Sequence, residues 1–163
     1  MKFEYTPTYD AILCQSFGAR KEGVSTSNAA LAEAIMNIYN KMPQNTQLII
    51  QKDCADAFPK DFKIDHIISE HAEPGKYLDS YEVSRQCAEY CQKNGLKKLL
   101  VFAHPDHLWR VQKVTAKFGL ECQGVFTNIP YDKKSSQIWT RSKWLFLPRE
   151  AIVNLIYAAT GKI

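Results

Sequence analysis

The sequence predicts a three-layer α/β sandwich with a mostly parallel sheet of about five strands. Apolar runs of strand length alternate along the chain with amphipathic segments of helix length. This alternation is typical of a parallel sheet that is covered by helices on both faces. The length of 163 residues suits one domain with a sizeable core, and no linker or repeat divides it. We therefore expect residues 1–163 to form a single domain.

The first half of the chain supplies three strands and one helix. Tyr9–Ser16 is an apolar run and is predicted as a buried first strand. Ser27–Met42 follows as a helix, since its apolar residues recur with helical spacing and Pro43 marks its end. The second and third strands are predicted at Thr46–Gln51 and Lys63–Ser69, on either side of a short polar connection.

The next helix, Asp79–Asn94, has the clearest end signals. Asp79 is a good helix cap, and Glu82 stands three residues later, as in a capping box. Gly95 suits the position just after the last turn, where a left-handed backbone is common. The spacing therefore predicts both ends of this helix.

The last third of the chain supplies two more strands and two more helices. The strands are Lys97–Ala103 and Glu121–Thr127, and the helix Asp106–Phe118 lies between them. Pro148-Arg149-Glu150 opens a final helix that runs to Thr160. Four apolar residues of this helix are expected to dock on the sheet: Ile152, Val153, Leu155 and Ile156.

Composition excludes several functional classes. A net charge of +4 is far below the dense basic stripe of a nucleic-acid-binding protein, although it favours anionic ligands. No segment has the length of apolar sequence needed to span a bilayer, and the first residues lack the apolar core of a signal peptide. The five cysteines form no CxxC pair and are predicted to be reduced core thiols. We expect a cytoplasmic protein.

Polar residues gather where the predicted strands end. They are Ser16 and Gly18 after the first strand, Glu70 after the third, and His104, Asp106, His107 and Arg110 after the fourth. Right-handed connections bring the carboxyl ends of parallel strands to one edge of the sheet, where ligands bind in open α/β folds. The helix that begins near Asp106 and the fork of Arg110 are suited to a bound phosphate or carboxylate.

Plainer structural roles are also open for these residues. Glu82 can serve only the capping box, Asp106 only as a helix cap, and Arg85 only as a partner of Glu82 or Glu89. The two histidines can form local hydrogen bonds. We predict no metal site, because His104 and His107 have no evident third ligand. The sequence has no GxGxxG, no GxxxxGK[ST] and no GxSxG motif, which disfavours dehydrogenases, P-loop enzymes and α/β-hydrolases.

Four segments together resemble family 218 of the domains of unknown function, which includes YdcF-, SanA- and ElyC-like proteins. They are the opening Tyr9-Asp10-Ala11-Ile12-Leu13, Asp79-Ser80-Tyr81-Glu82 after Glu70, His107-Leu108-Trp109-Arg110, and Arg149-Glu150 with Tyr157 and Gly161. The resemblance implies a Rossmann-like fold. It also implies a cleft between the acidic segment and the His-x-x-Arg segment, lined by Glu70, Glu82, His107 and Arg110. Through YdcF-like members it implies S-adenosylmethionine as a candidate cofactor. The chain departs from the family in lacking glycines after the second strand.

Three hypotheses of function follow. In the first, the protein binds a small anionic or nucleotide-like ligand at the strand ends, and its catalytic form is a hydrolase or transferase. There Arg110 holds the anion, His107 is the general acid or base, and Glu70 orients His107 or a water. Glu82 is the third catalytic candidate.

The second hypothesis is a non-catalytic sensor or adaptor of the cell envelope, docking through an exposed segment Lys133–Lys143 with Trp139 and Arg141. The third, implied by the resemblance to YdcF-like proteins, is a methyltransferase or other protein that binds S-adenosylmethionine. Oligomeric state is left open.

Overall fold

Five parallel strands form the centre of the computed structural model, which describes residues 9–163. In chain order they are β1 (Ala11–Cys14), β2 (Gln47–Gln51), β3 (His66–Ile68), β4 (Lys98–Phe102) and β5 (Glu121–Gly124). Across the sheet the order is β3-β2-β1-β4-β5, and every neighbouring pair is parallel. The predicted α/β class with a parallel sheet of five strands is confirmed.

Five helices and one short 3-10 turn connect and cover the strands. They are α1 (Thr26–Tyr39), α2 (Lys52–Ala55), α3 (Ser80–Asn94), α4 (Pro105–Lys117), α5 (Lys143–Ala159) and the 3-10 turn Ile138–Thr140. The short helix α2 was not predicted. Its four residues are too few to produce a helical pattern of apolar residues.

Alternate strand residues belong to two separate hydrophobic cores, one on each face of the sheet. Ile12 and its neighbours at alternate positions pack against α1 and α2, while Leu13 and its neighbours pack against α3 and α4. Both sets are fully buried because a parallel sheet is covered on both faces. This arrangement gives the three layers.

The strand ends differ from the predicted boundaries. β1 stops at Cys14 rather than Ser16, because the amides of Ser16 and Phe17 leave the ladder to donate to the side chains of Gln51 and Asn28, each at 2.9 Å. β3 is also shorter than Lys63–Ser69 because it lies at the edge of the sheet and has one neighbouring strand.

The helix ends confirm one predicted cap and correct another. Asp79 accepts the Glu82 amide at 2.9 Å, and Gly95 is left-handed with φ 69°, as predicted. The Glu82 carboxylate, however, turns away from the cap towards Arg85. α4 begins at Pro105, with His104 rather than Asp106 as its cap.

The last helix differs most from its prediction. α5 begins at Lys143, five residues before Pro148, and Pro148 lies inside it. It packs against α4 and the 3-10 turn, not flat on the sheet. Ile152, Leu155 and Ile156, predicted to dock on the sheet, are exposed. An apolar periodicity predicts that one face will be covered but does not identify what covers it.

All five cysteines are free thiols, four of them buried, as predicted. No helix within residues 9–163 is both long and apolar enough to cross a bilayer.

Candidate functional site

A cavity of about 270 Å³ opens at the carboxyl ends of β1 and β4. The chain leaves β1 towards β2 on one side, and β4 lies on the other, so this is the point where the strand order reverses. Ligands bind at such a reversal in open α/β sheets. The loop after β1, the start of α3, α4, the 3-10 turn and α5 all contribute to the wall.

The floor of the cavity is a buried polar network. Arg110 donates from Nε and Nη2 to the two oxygens of Glu150, both at 2.8 Å. Its Nη1 donates to Ser80 Oγ at 3.1 Å, and Nη2 lies 3.1 Å from His107 Nδ1. His107 Nε2 lies 3.1 Å from the same Ser80 oxygen. The network joins α3, α4 and α5, and His107, Arg110 and Glu150 are all buried.

The donors of Arg110 determine which nitrogen of His107 carries the proton. A guanidinium can only donate, so His107 Nδ1 acts as acceptor and the ring proton is on Nε2. His107 Nε2 then donates to Ser80 Oγ, as Arg110 Nη1 does. With both lone pairs of Ser80 Oγ occupied, its own proton is free to point into the cavity, which Ser80 lines.

The charges in the network follow from burial and hydrogen bonding. Burial raises the pKa of Glu150, but the two hydrogen bonds from Arg110 outweigh burial and bring this pKa to about 2. Burial lowers the pKa of His107, more than its contact with Glu150 raises it. The network at neutral pH is therefore one guanidinium, one carboxylate and one neutral imidazole.

The fork of Arg110, predicted to hold an anion, is occupied by Glu150, and its remaining group contacts Ser80. Arg110 lines the cavity with its charge already paired, and its binding of an anion stays a prediction. Glu150 also stands where Glu70 was expected, because it contacts His107 Nδ1 at 3.4 Å.

Glu70 and Glu82 lie together at a different place, beside the β3 edge. Gln86 bridges them, donating to the Glu70 carbonyl and to the Glu82 carboxylate, each at 2.8 Å. Arg85 donates to Glu82 at 2.7 and 2.8 Å, and these hydrogen bonds lower the pKa of Glu82 to about 2. Neither glutamate lines the cavity over the His107 network. The structure thus places Glu70 and Glu82 away from His107, the third residue predicted to be catalytic.

His104 and Asp106 lie behind Phe17, which lines the cavity. His104 stacks on Phe17 at 4.0 Å between ring centroids and accepts the Asp106 amide at 3.3 Å. Burial lowers the pKa of His104 to about 4. The Asp106 carboxylate accepts from Tyr131 at 2.6 Å. Neither residue lines the cavity, although both were predicted to bind ligand.

Ser16 and Gly18 do line the cavity, as predicted. Gly18 has φ +73°, and a Cβ there would come within 2.7 Å of Thr140 Oγ1. The surrounding loop is nevertheless closed by its own hydrogen bonds. The amides of Ser16, Phe17 and Ala19 donate to side chains, and the Ser16 hydroxyl accepts the Cys54 amide at 3.0 Å. The amides of Ser16, Phe17 and Ala19 therefore already have acceptors within the protein.

The segment predicted as an exposed docking loop is partly folded back. Trp139 is half-buried, with Arg149 stacked over its ring at 4.6 Å. Arg141 is half-buried too and donates to the Ser135 carbonyl at 2.7 Å. Within residues 9–163, no group of three or more His, Cys, Asp or Glu side chains is placed to hold a metal ion.

Ser80 and Glu150 are the functional candidates that sequence reasoning missed. Ser80 stood in a segment noted for its resemblance, but it was taken only as the first residue of a helix. Glu150 carried a stronger signal, since it is the only acidic residue from Lys133 to Ile163. An isolated acid in an apolar helix indicates a buried partner.

Comparisons with protein-family models, with curated proteins and with solved structures found no match to this chain.

Proposed function

We propose that the protein binds a small anionic organic ligand in the cavity at the ends of β1 and β4. The observation that carries the proposal is the Ser80 hydroxyl, which receives two donors from the buried network and so has its own proton free for a ligand oxygen. The expected ligand group is a carboxylate or a phosphate.

Two further donors at the cavity favour an anion. Ser80 is the first residue of α3, a helix of 15 residues, and the first amides of a helix have no helical acceptor. Arg149 lines the cavity and forms no salt bridge within residues 9–163. The resemblance to family 218 also supports the proposal, since Ser80 belongs to one of its segments and Arg110 to another.

The test is a thermal-shift titration with inorganic phosphate, a sugar phosphate, a nucleoside monophosphate and a dicarboxylate. A ligand at 100 times its Kd stabilises the fold by about 2.7 kcal/mol, which is a readily measured rise in Tm. We expect a rise with at least one probe and its loss in Arg149→Gln. Lys133→Gln is the matched control, because Lys133 is exposed and does not line the cavity. No rise with any probe, or an equal rise in Arg149→Gln, contradicts the proposal.

Hydrolysis of an ester is a second candidate function. It is favoured because Ser80 contacts His107, and His107 in turn contacts Glu150. A nucleophile, a base and an orienting acid have this order in serine hydrolases. Here the contacts are 3.1 Å and 3.4 Å. The reaction needs the other tautomer, with the proton on Nδ1 facing Glu150, so that Nε2 can accept the Ser80 proton as Oγ attacks the carbonyl carbon. His107 then gives that proton to the leaving alcohol as the ester C–O bond breaks, and a water hydrolyses the acyl-enzyme to release the acid and restore the Ser80 hydroxyl. The shorter 3.1 Å contact from Arg110 favours binding without turnover.

A fluorophosphonate probe separates the two functions. A hydrolase is labelled at Ser80, and Ser80→Ala abolishes the labelling. A binding protein is not labelled but still shows the rise in Tm with an anion. Labelling of a residue other than Ser80 rules out the hydrolase.

A further inference from the structure

The outer face of α5 is a continuous apolar surface exposed to solvent. Trp144 is 88% exposed and Leu155 is 71% exposed. The face continues through small and branched apolar residues on the same side of the helix: Leu145, Pro148, Ala151, Ile152, Ile156 and Ala159. From residue 144 to residue 159 every exposed side chain is apolar. Large exposed apolar surfaces mark places where a partner or a membrane binds.

The segment that carries this face is rich in basic residues. Residues 133–163 contain six basic side chains and one acidic side chain, Glu150. Glu150 is buried and paired with Arg110. Lys143, at the start of α5 and next to Trp144, is exposed, and its ammonium lies 3.9 Å from the Asp106 carboxylate of α4. The segment therefore keeps an excess of basic charge.

We propose that α5 is a docking surface for a lipid bilayer with anionic headgroups, lying in the plane of the interface. Membrane-surface helices combine an apolar face with basic residues and an aromatic residue at the boundary. Trp144 fits that boundary position, and the basic residues fit the negative potential of anionic lipids. At 17 residues, α5 is about 25 Å long and presents its whole outer face at once.

A second copy of the chain fits this surface less well. Most protein dimers are symmetric and place the same patch of two molecules face to face. Such pairing places the excess basic charge of residues 133–163 in one copy near that of the other, and the one acid of the segment, Glu150, is buried. An anionic bilayer makes favourable contacts with both the apolar face and the basic residues of the segment.

The cavity opens beside the same helix. Arg149 and Ile156 belong to α5 and also line the cavity wall. Docking through the outer face of α5 therefore brings the cavity mouth close to the bilayer surface. The docking proposal itself does not depend on what the cavity binds.

The test is co-sedimentation of the full chain with vesicles of phosphatidylcholine alone and of phosphatidylcholine mixed with phosphatidylglycerol. We expect binding to the mixed vesicles and at least about tenfold weaker binding for Ile152→Ser with Leu155→Ser, because both side chains lose their apolar contact with lipid. Phe126→Ser is the matched control: Phe126 is 81% exposed but lies outside α5. All three replaced residues are exposed, so the variants should fold, and circular dichroism checks this.

A second readout uses Trp144 directly. Its fluorescence should shift to shorter wavelength with mixed vesicles, and Trp144→Phe should remove that shift. The proposal is overturned if the folded chain does not sediment with the mixed vesicles, or if the α5 variant sediments as well as Phe126→Ser. It is also overturned if, without lipid, sedimentation velocity shows a dimer that Leu155→Ser dissociates, because the face is then an interface between copies.

Discussion

Two arginine–glutamate pairs in this molecule have the same chemistry and different origins. Arg85 and Glu82 are three residues apart on one helix, at the β3 edge, and Arg85 is 29% exposed. Arg110 and Glu150 are 40 residues apart on two helices, and both are buried under the cavity. The first pair follows from helical spacing alone, and the second exists only because α5 packs across α4.

We expect the pair formed by tertiary packing to contribute more to the free energy of unfolding. Arg85 is 29% exposed and has a second partner, Glu89, so it can lose one contact and be solvated. Arg110 and Glu150 have no such alternative, because a buried charge without its partner is strongly unfavourable. Four predictions test this difference, from the largest effect to the smallest.

Glu150→Ala is expected to have the largest effect, a loss of about 3–5 kcal/mol in the free energy of unfolding, because it leaves Arg110 buried and unpaired. Urea denaturation measures this loss. The double variant Arg110→Met, Glu150→Leu should recover most of it, since no unpaired charge remains. A loss below about 1 kcal/mol for Glu150→Ala would mean that the pair is no more important than a surface one.

The second prediction concerns the pH dependence of stability, because burial lowers the pKa values of two histidines. They are His107, which contacts Arg110, and His104, which precedes it on the chain. The pKa of His104 is about 4 in the folded chain and about 6.5 when unfolded. Between these values the unfolded chain binds more protons, so stability falls as pH falls from about 6.5 to 4, by about 3 kcal/mol. His107, whose pKa burial also lowers, acts in the same direction. Thermal melts across this pH range should show a smaller dependence of Tm on pH for His104→Asn than for the unchanged chain. The same dependence in both would contradict the prediction.

Glu82→Ala should cost less than Glu150→Ala, about 1–2 kcal/mol. The change removes the acceptor of the Ala72 amide and of Gln86 as well as the partner of Arg85. The exposed part of Arg85 can be hydrated in the variant, which limits the loss. Urea denaturation under the same conditions compares the losses in free energy of unfolding for Glu82→Ala and Glu150→Ala. Equal losses would contradict the prediction that the two pairs differ.

Glu89→Ala should have the smallest effect, below about 0.5 kcal/mol, because Glu89 is 55% exposed and pairs with Arg85 across one helical turn. Raising the salt concentration should reduce even this difference. A loss as large as that of Glu82→Ala would show that the exposed pair is worth more than its position suggests.

Much of the fold could be predicted because its signals are local. The five strands are apolar runs, and Asp79 and Gly95 mark the ends of α3 through short-range geometry. The site was predicted in part: Ser16, Gly18, His107 and Arg110 do lie at the cavity. Glu70 was grouped with them because it follows a strand at the same edge, and Glu82 through the resemblance to family 218. The edge is wide enough to hold two separate clusters.

By itself, the sequence determined the alternation of strands and helices, the parallel sheet and the edge at which polar residues gather. Those features depend on the period of apolar residues and on the chirality of the connections. Tertiary structure alone decided that Glu150 neutralises Arg110, that Ser80 joins them, and that Leu155 is exposed. These outcomes depend on how α5 crosses α4, and a helix with apolar residues around most of its surface does not encode which side is to be covered.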